Sequence, residues 1–182
     1  MLESFKGLGY AGQLRPVGQT LDDLRIESFT VITDDDGFIV RDKTRNRAQL
    51  TPREKAFLSE LSESHSASKA RQNALRLASG IFEWHLTGAD IERLDKAGRE
   101  RRRDTEQAPE SHSMSQILRI VGEIVDQKCG RLISVSKTES LVTVDYLTST
   151  GRLNSENYTL PMIYNFWVGS YKRRAVRNSA TA

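Results

Sequence analysis

The chain has 182 residues, 37% apolar and 28% charged, enough to bury a core without metals or disulfides and well above the composition of disordered chains. Its apolar runs fall far short of the roughly 20 residues that a membrane helix needs. The lone cysteine, Cys129, excludes an internal disulfide and a cysteine-based zinc site; with no signal-peptide pattern over Met1–Tyr10, the expected setting is the reducing cytoplasm.

Leu14, Val17, Leu21 and Leu24 recur at helical spacing and predict a helix from about Pro16 to Leu24, with Pro16 in its first turn. Ser28–Thr33 and Phe38–Asp42 alternate as strands around Asp34-Asp35-Asp36-Gly37, a hairpin turn in which Gly37 is expected to supply a positive φ. Thr51-Pro52-Arg53-Glu54 is a capping box that opens a helix through about Glu63, burying Phe57, Leu58 and Leu61. Ala70, Ala74, Leu77, Ile81 and Trp84 step by three or four and predict a second helix over about Ala67–His85. A third starts at Thr87-Gly88-Ala89-Asp90 and runs through Ile91, Leu94 and Ala97 into an arginine run.

Residues 105–112 are polar and aperiodic and read as a linker. Ser113 and Gln116 then cap a helix with the cleanest stripe in the chain, Met114, Ile117, Leu118, Val121, Ile124 and Val125. Strands follow at Arg131–Lys137, Leu141–Leu147 and, at a polar sheet edge, Arg152–Tyr158. Leu160, Ile163, Tyr164, Trp167, Val168 and Tyr171 mark a final helix that ends in a basic tail.

Residues 17–40 lie on 121–144 at a constant offset of 104, with Val17-Gly18 on Val121-Gly122, Asp22 on Asp126, Val31 on Val135 and Val40 on Val144. Five identities in 24 positions leave internal duplication as an open alternative to two merely similar units. The expected fold is therefore α+β: two small helix-plus-antiparallel-sheet units with a central helical segment. The organisation is a helix-hairpin unit over residues 1–50, a basic helical segment over 51–104, the linker over 105–112 and an α-β-β-β-α unit over 113–182.

No catalytic, cofactor or metal pattern emerges. Gly7, Gly9 and Gly12 fit G-x-G-x-x-G, but no strand precedes them, and an N-terminal arm is the better reading. His65, His85 and His112 are too far apart for a local ligand motif, and Cys129 lacks a nucleophile's partners, so neither a metal nor a cofactor is expected. Positive charge instead collects in runs, above all Lys96, Arg99, Arg101, Arg102 and Arg103, and Lys172, Arg173 and Arg174. Guanidinium groups bind phosphate bidentately and release counterions. The leading expectation is thus a non-enzymatic, nucleic-acid-associated regulatory protein that contacts the phosphate backbone through these residues. A helix-turn-helix with its recognition helix over Thr87–Arg103 is a variant of that expectation. The alternative is a protein-protein adaptor or homodimer that uses Tyr164, Trp167 and Tyr171, residue types that dominate interface hot spots. A small enzyme assembled from distant residues is the third.

Overall fold

The computed structural model describes residues 7–46, 50–65, 81–104 and 113–179, with side chains at 44–46, 62, 64, 81, 99–104 and 170–179 outside the description. In chain order the elements are α1 (Tyr10–Leu24), β1 (Phe29–Asp34), β2 (Gly37–Asn46), α2 (Pro52–Ser64), β3 (Ile81–Thr87), α3 (Gly88–Asp104), α4 (Met114–Gln127), β4 (Arg131–Thr138), β5 (Leu141–Leu147), β6 (Leu153–Thr159) and α5 (Leu160–Ser179). The class is α+β, and all six strands belong to one antiparallel sheet in the order β3-β2-β1-β4-β5-β6. The two expected units share that sheet because β1 pairs with β4, Val31 lying opposite Val135.

Buried strand side chains alternate onto one face: Phe29, Val31, Phe38 and Val40 from the first unit, Val135, Val142, Val144 and Tyr146 from the second. The stripes of α1 (Leu14, Val17, Leu21) and α4 (Leu118, Val121, Val125) are equally buried in the same core. α1 and α4 touch closely enough that a Cβ on Gly18 would lie 2.4 Å from the Ser115 Cα, and one on Gly122 2.4 Å from the Ala11 N.

These contacts repeat at the offset already seen in the sequence. Asp22 accepts hydrogen bonds from the Met114 and Ser115 backbone N–H groups (2.7 and 2.9 Å), and Asp126 accepts from those of Tyr10 and Ala11 (2.9 and 3.1 Å). Both helices end in a left-handed residue, Arg25 (φ 57°) and Cys129 (φ 49°). The same closing bonds follow: Ile26 N–H to Leu21 O, and Gly130 N–H to Val125 O. The hairpins also share a register, since Val31 opposes Val40 and Val135 opposes Val144. The third strands come later in one unit than in the other, yet Thr87 opposes Gly37 and Thr159 opposes Leu141, again equivalent positions. Each then caps a helix: Thr87 Oγ1 accepts from Asp90 N–H (3.3 Å) and Thr159 Oγ1 from Met162 N–H (3.4 Å). The contacts have the reciprocity of an isologous dimer interface, here within one chain.

Several expectations are corrected. Ile81–His85 is not helical: Phe82, Trp84 and Leu86 alternate inward on β3 against Phe38 and Val40 of β2. The remainder of the expected 67–85 helix, up to residue 80, lies outside the described residues. Because a strand leads directly into α3, the helix-turn-helix arrangement is absent there. α1 begins six residues before Pro16, since Asp126 supplies the cap that Gly9 lacks; Pro16 sits inside the helix, without an N–H to offer Gly12. The segment containing Gly9 and Gly12 is accordingly a helix start rather than an arm. Gly37 has no positive φ; a Cβ there would sit 1.9 Å from the Leu86 O, so the glycine admits the close approach of β3. His85 lies on β3 with Nδ1 3.4 Å from Asp34 Oδ2, not at a helix end. The capping box at Thr51 forms as expected, Glu54 reaching back to the Thr51 N–H at 2.7 Å.

Candidate functional site

The two units place equivalent residues in matching positions, and they differ in what those residues are. α3 and α5 leave the sheet from opposite edge strands, β3 and β6, each after a capping threonine. Ile91 and Ile163 are equivalent and both buried, so the two helices seat the same inward position. Their outward positions differ in kind. α3 presents Glu92, Arg93 and Lys96, all exposed, whereas α5 presents Tyr164 and Asn165, both exposed, and a half-buried Val168. Asp90, equivalent to Met162, is 1% exposed because His65 at the end of α2 closes over it, Nε2 2.8 Å from the carboxylate. Met162 is 51% exposed and Tyr164 44%. The connection from β2 to β3 spans 34 residues and includes α2; that from β5 to β6 is the tight turn at 148–152, which supplies no such cover.

The seat of α2 explains a second contrast. Phe57 of α2 meets Trp84 edge-on, ring centroids 5.8 Å apart, over an apolar cluster with Phe82 and Leu86. The equivalent positions on β6 are Asn154, Glu156 and Tyr158, all half-buried, beside Lys128 at the end of α4. Lys128 Nζ donates to both Glu156 oxygens (2.6 and 2.5 Å), Tyr146 OH donates to Oε1 (2.7 Å), and Tyr158 OH donates to Oε2. Lys128 and Asn154 also donate to the Tyr146 oxygen, each at 3.3 Å. Polar side chains that satisfy one another thus stand where the first unit buries aromatic surface under a helix.

Charge in this network is fixed. Burial works to raise the Glu156 pKa, but hydrogen bonds from Lys128, Tyr158 and Tyr146 outweigh it and hold the carboxyl at about 2. Burial works to lower that of Lys128, and the bonds to Glu156 and Tyr146 push it well above its ordinary value instead. Burial and the bond to Glu156 together push Tyr158 up to about 12. Groups so far from neutral pKa values are poor general acids or bases at pH 7; they fasten β6 to α4. A linkage prediction follows. Glu156 is depressed, so its contribution is complete above its ordinary pKa of 4.5 and disappears as pH falls toward 2. Glu156→Gln is expected to cost about 1 kcal/mol at neutral pH, a partly exposed pair being worth little more. In urea titrations the gap to wild type should stay constant above pH 4.5 and close between 4.5 and 2; a gap that persists at pH 2 would refute the pairing.

The residues named from sequence are distributed as follows. Lys96 is exposed on α3. Arg99, Arg101, Arg102 and Arg103 occupy the last turns of α3, and Lys172, Arg173 and Arg174 the C-terminal half of α5; their side chains, like that of Tyr171, lie outside the described residues. β3 and β6 run in opposite directions at opposite edges, so the two basic helices start from diagonally opposite corners, separated by roughly 24 Å across the sheet, five strand spacings, and by a further strand length along it. Tyr164 and Trp167 come together, ring centroids 5.7 Å apart, with Trp167 half-buried against the core and Tyr164 outside. Sequence reasoning missed Met162, whose exposure is informative only beside Asp90. The signal was present in the two Thr-x-x starts at Thr87 and Thr159, which align the helices that follow. Among the described residues no cluster of three His, Cys, Asp or Glu side chains could hold a metal ion, and no helix is long and apolar enough to cross a membrane. Comparisons with protein-family models, with curated proteins and with solved structures find no match.

Proposed function

We propose that the protein is an interaction module whose docking element is the outer face of α5. The carrying observation is the exposure of Met162 and Tyr164 in the first turns of α5, where the equivalent positions of α3 hold the covered Asp90 and the exposed but charged Glu92. Leu141 and Leu153 are also exposed, and all four of these large apolar side chains belong to the second unit. Aromatic and methionine side chains at a surface are the composition of interface cores, while the charged face of α3 is that of ordinary solvated surface. On this reading the two units are a duplicated frame in which one copy closed its edge with α2 and the other kept its edge for a partner.

The test is site-specific photocrosslinking in a cell extract. A photoreactive side chain at position 164 is expected to give discrete adducts that Met162→Asp abolishes, and the same group at position 92 to give none. Equal labelling from both positions would remove the asymmetry on which the reading stands. Since Tyr164 and Met162 are exposed, these variants should keep wild-type stability within about 0.5 kcal/mol.

A second reading keeps the basic residues in view: a nucleic-acid-associated role through Lys96, Arg99, Arg101, Arg102, Arg103, Lys172, Arg173 and Arg174. It is supported by the exposure of Lys96 and by the placement of both runs on helices that hold equivalent positions in the two units. Duplex nucleic acid is locally two-fold, so paired basic helices suit it in principle. Anisotropy titration with a DNA duplex decides between the two readings: tight binding that is lost on reversing Lys172, Arg173 and Arg174 to glutamate but is insensitive to Tyr164→Asp would favour nucleic acid.

A further inference from the structure

We infer that the protein self-associates through β6, which pairs antiparallel with β6 of a second copy about a two-fold axis; this goes beyond the reading of α5 and uses different atoms, the backbone of the sheet edge. Among the described residues no strand lies beyond β6. The Thr148 N–H donates to the Arg152 O, which makes these two a hydrogen-bonded pair. Counting along the hairpin, Asn154, Glu156 and Tyr158 bond to β5, while Leu153, Ser155 and Asn157 turn their N–H and C=O groups to the open side. Leu153, Ser155, Asn157 and Thr159 are all exposed. Edges are normally blunted by a proline, a lysine, a bulge or an unpaired inward charge. β6 has none of these. Its seven residues, Leu153–Thr159, pair with β5 without a shift of register, include no proline, glycine or cation, and hold one charge, Glu156, which Lys128 neutralises. At the opposite edge the pairing of β3 with β2 does shift register, between Arg41 and Asn46.

The occupant follows from the way this sheet is already built. β1 and β4, equivalent strands of the two units, join by the same operation, Thr30 opposite Ser136 and Ile32 opposite Ser134 around the pair Val31 and Val135. A second copy extends the sheet by repeating it. With Ser155 opposite the second copy's Ser155, Leu153 faces the second copy's Asn157, and these outward-turned residues exchange N–H···O=C bonds in pairs. On the inward side Glu156 then faces the second copy's Asn154, an amide that can donate to it. A shift of register that centres the pairing on Glu156 would set two like charges opposite each other. A shift that centres it on Asn157 would run past Thr159 into α5. The axis stands perpendicular to the sheet, so the two α5 helices start from opposite ends of the paired strands, roughly 26 Å apart along them. A foreign strand has less to recognise, because strand addition takes its specificity from side-chain pockets beside the edge. Here the neighbours are small, like Ser155, or bonded within the chain, like Asn157 to Thr143 and Asn154, Glu156 and Tyr158 to one another and to Tyr146.

The experiment is sedimentation equilibrium of the full chain between about 1 μM and about 100 μM, with circular dichroism to check the fold of each variant. Wild type is expected to pass from monomer to dimer within that range. Ser155→Pro removes an N–H that β5 does not use, so the fold should persist while self-association weakens at least about 100-fold. Ser155→Lys and Ser155→Asp each place like charges across the axis and should remain monomeric, and an equimolar mixture of the two should dimerise again. No effect of either substitution on the monomer alone produces that rescue. A wild-type chain that stays monomeric throughout overturns the inference. So does a dimer that survives Ser155→Pro, and if Tyr164→Asp dissolves that dimer the self-association belongs to α5 instead. Should Ser155→Pro unfold, the mixed variants decide: a heterodimer supports the pairing, and a mixture that stays monomeric refutes it.

Discussion

Gly18→Ala and Gly122→Ala are each expected to destabilise the fold by about 2–3 kcal/mol, against the usual direction of such a change in a helix. Glycine inside a helix ordinarily costs about 1 kcal/mol relative to alanine, so on an open helix face either substitution would stabilise. Here a methyl group at position 18 would meet the Met114 O and Ser115 N at 2.5 Å, and one at position 122 the Tyr10 C at 2.4 Å. Those neighbours are backbone atoms at the start of the opposing helix, and no rotamer change can move them away. The helices must separate, and with them the capping bonds between Asp22, Asp126 and the facing N-termini. For a chain of this length the loss corresponds to a drop in Tm of roughly 5–10 °C in a thermal melt. Because both glycines guard the same pair of helices, the double variant should cost less than the sum of the singles. Equal losses at the two sites would support equivalence of the units, and a rise in Tm at either site would show that α1 and α4 do not approach as described.

Local signals carried much of this architecture. The capping box at Thr51, the stripe of α4, both hairpins and the polar edge strand were legible because each depends on neighbours within a few residues. Failures occurred where a distant residue decides. The start of α1 is set by a carboxylate 116 positions away, and no scan of Tyr10–Pro16 contains it. β3 was hidden because Ile81 and Trp84 continue an upstream three-four spacing, while the alternation of Phe82, Trp84 and Leu86 acquires its meaning only beside β2. The role of Gly37 was misassigned for the same reason: the Leu86 carbonyl that excludes a side chain there belongs to another strand. The offset of 104 put Val31 on Val135 in the alignment, but not the fact that those two residues face each other where the units join. For the candidate site, Tyr164 and Trp167 could be named from their type and spacing. Which of them faces outward depends on how α5 sits on α4, and the weight of Met162 on a comparison with Asp90 that needs the third strands in register. Charge runs are legible at once, but their mutual placement follows from strand order, which the sequence does not state.

The second large effect is expected at the two carboxylates that join the units. Each accepts two backbone N–H bonds at the first turn of the facing helix, where the unpaired donors and the positive end of the helix dipole both favour an anion. Removing such a cap costs about 1 kcal/mol, up to about 2, and losing the charge at the helix start adds several tenths. Asp22→Ala and Asp126→Ala should therefore each cost about 2 kcal/mol in urea unfolding, and the asparagine variants, which retain an acceptor but no charge, about half of that. The two sites should respond differently in place if not in size. α4 keeps a second cap when Asp22 is lost, since Ser113 Oγ still accepts from the Gln116 N–H at 3.2 Å. α1 keeps none, because its own N-cap is Gly9. Asp126→Ala should therefore fray α1 from its beginning and raise hydrogen exchange over Tyr10–Leu14, whereas Asp22→Ala should lower global stability with little local fraying at Met114–Leu118. Protection lost equally at both helix starts would mean that Ser113 contributes no cap. Protection retained at Tyr10 and Ala11 in Asp126→Ala would mean that this carboxylate does not hold the first turn of α1, and the reciprocal join between the units would then lose one of its two halves.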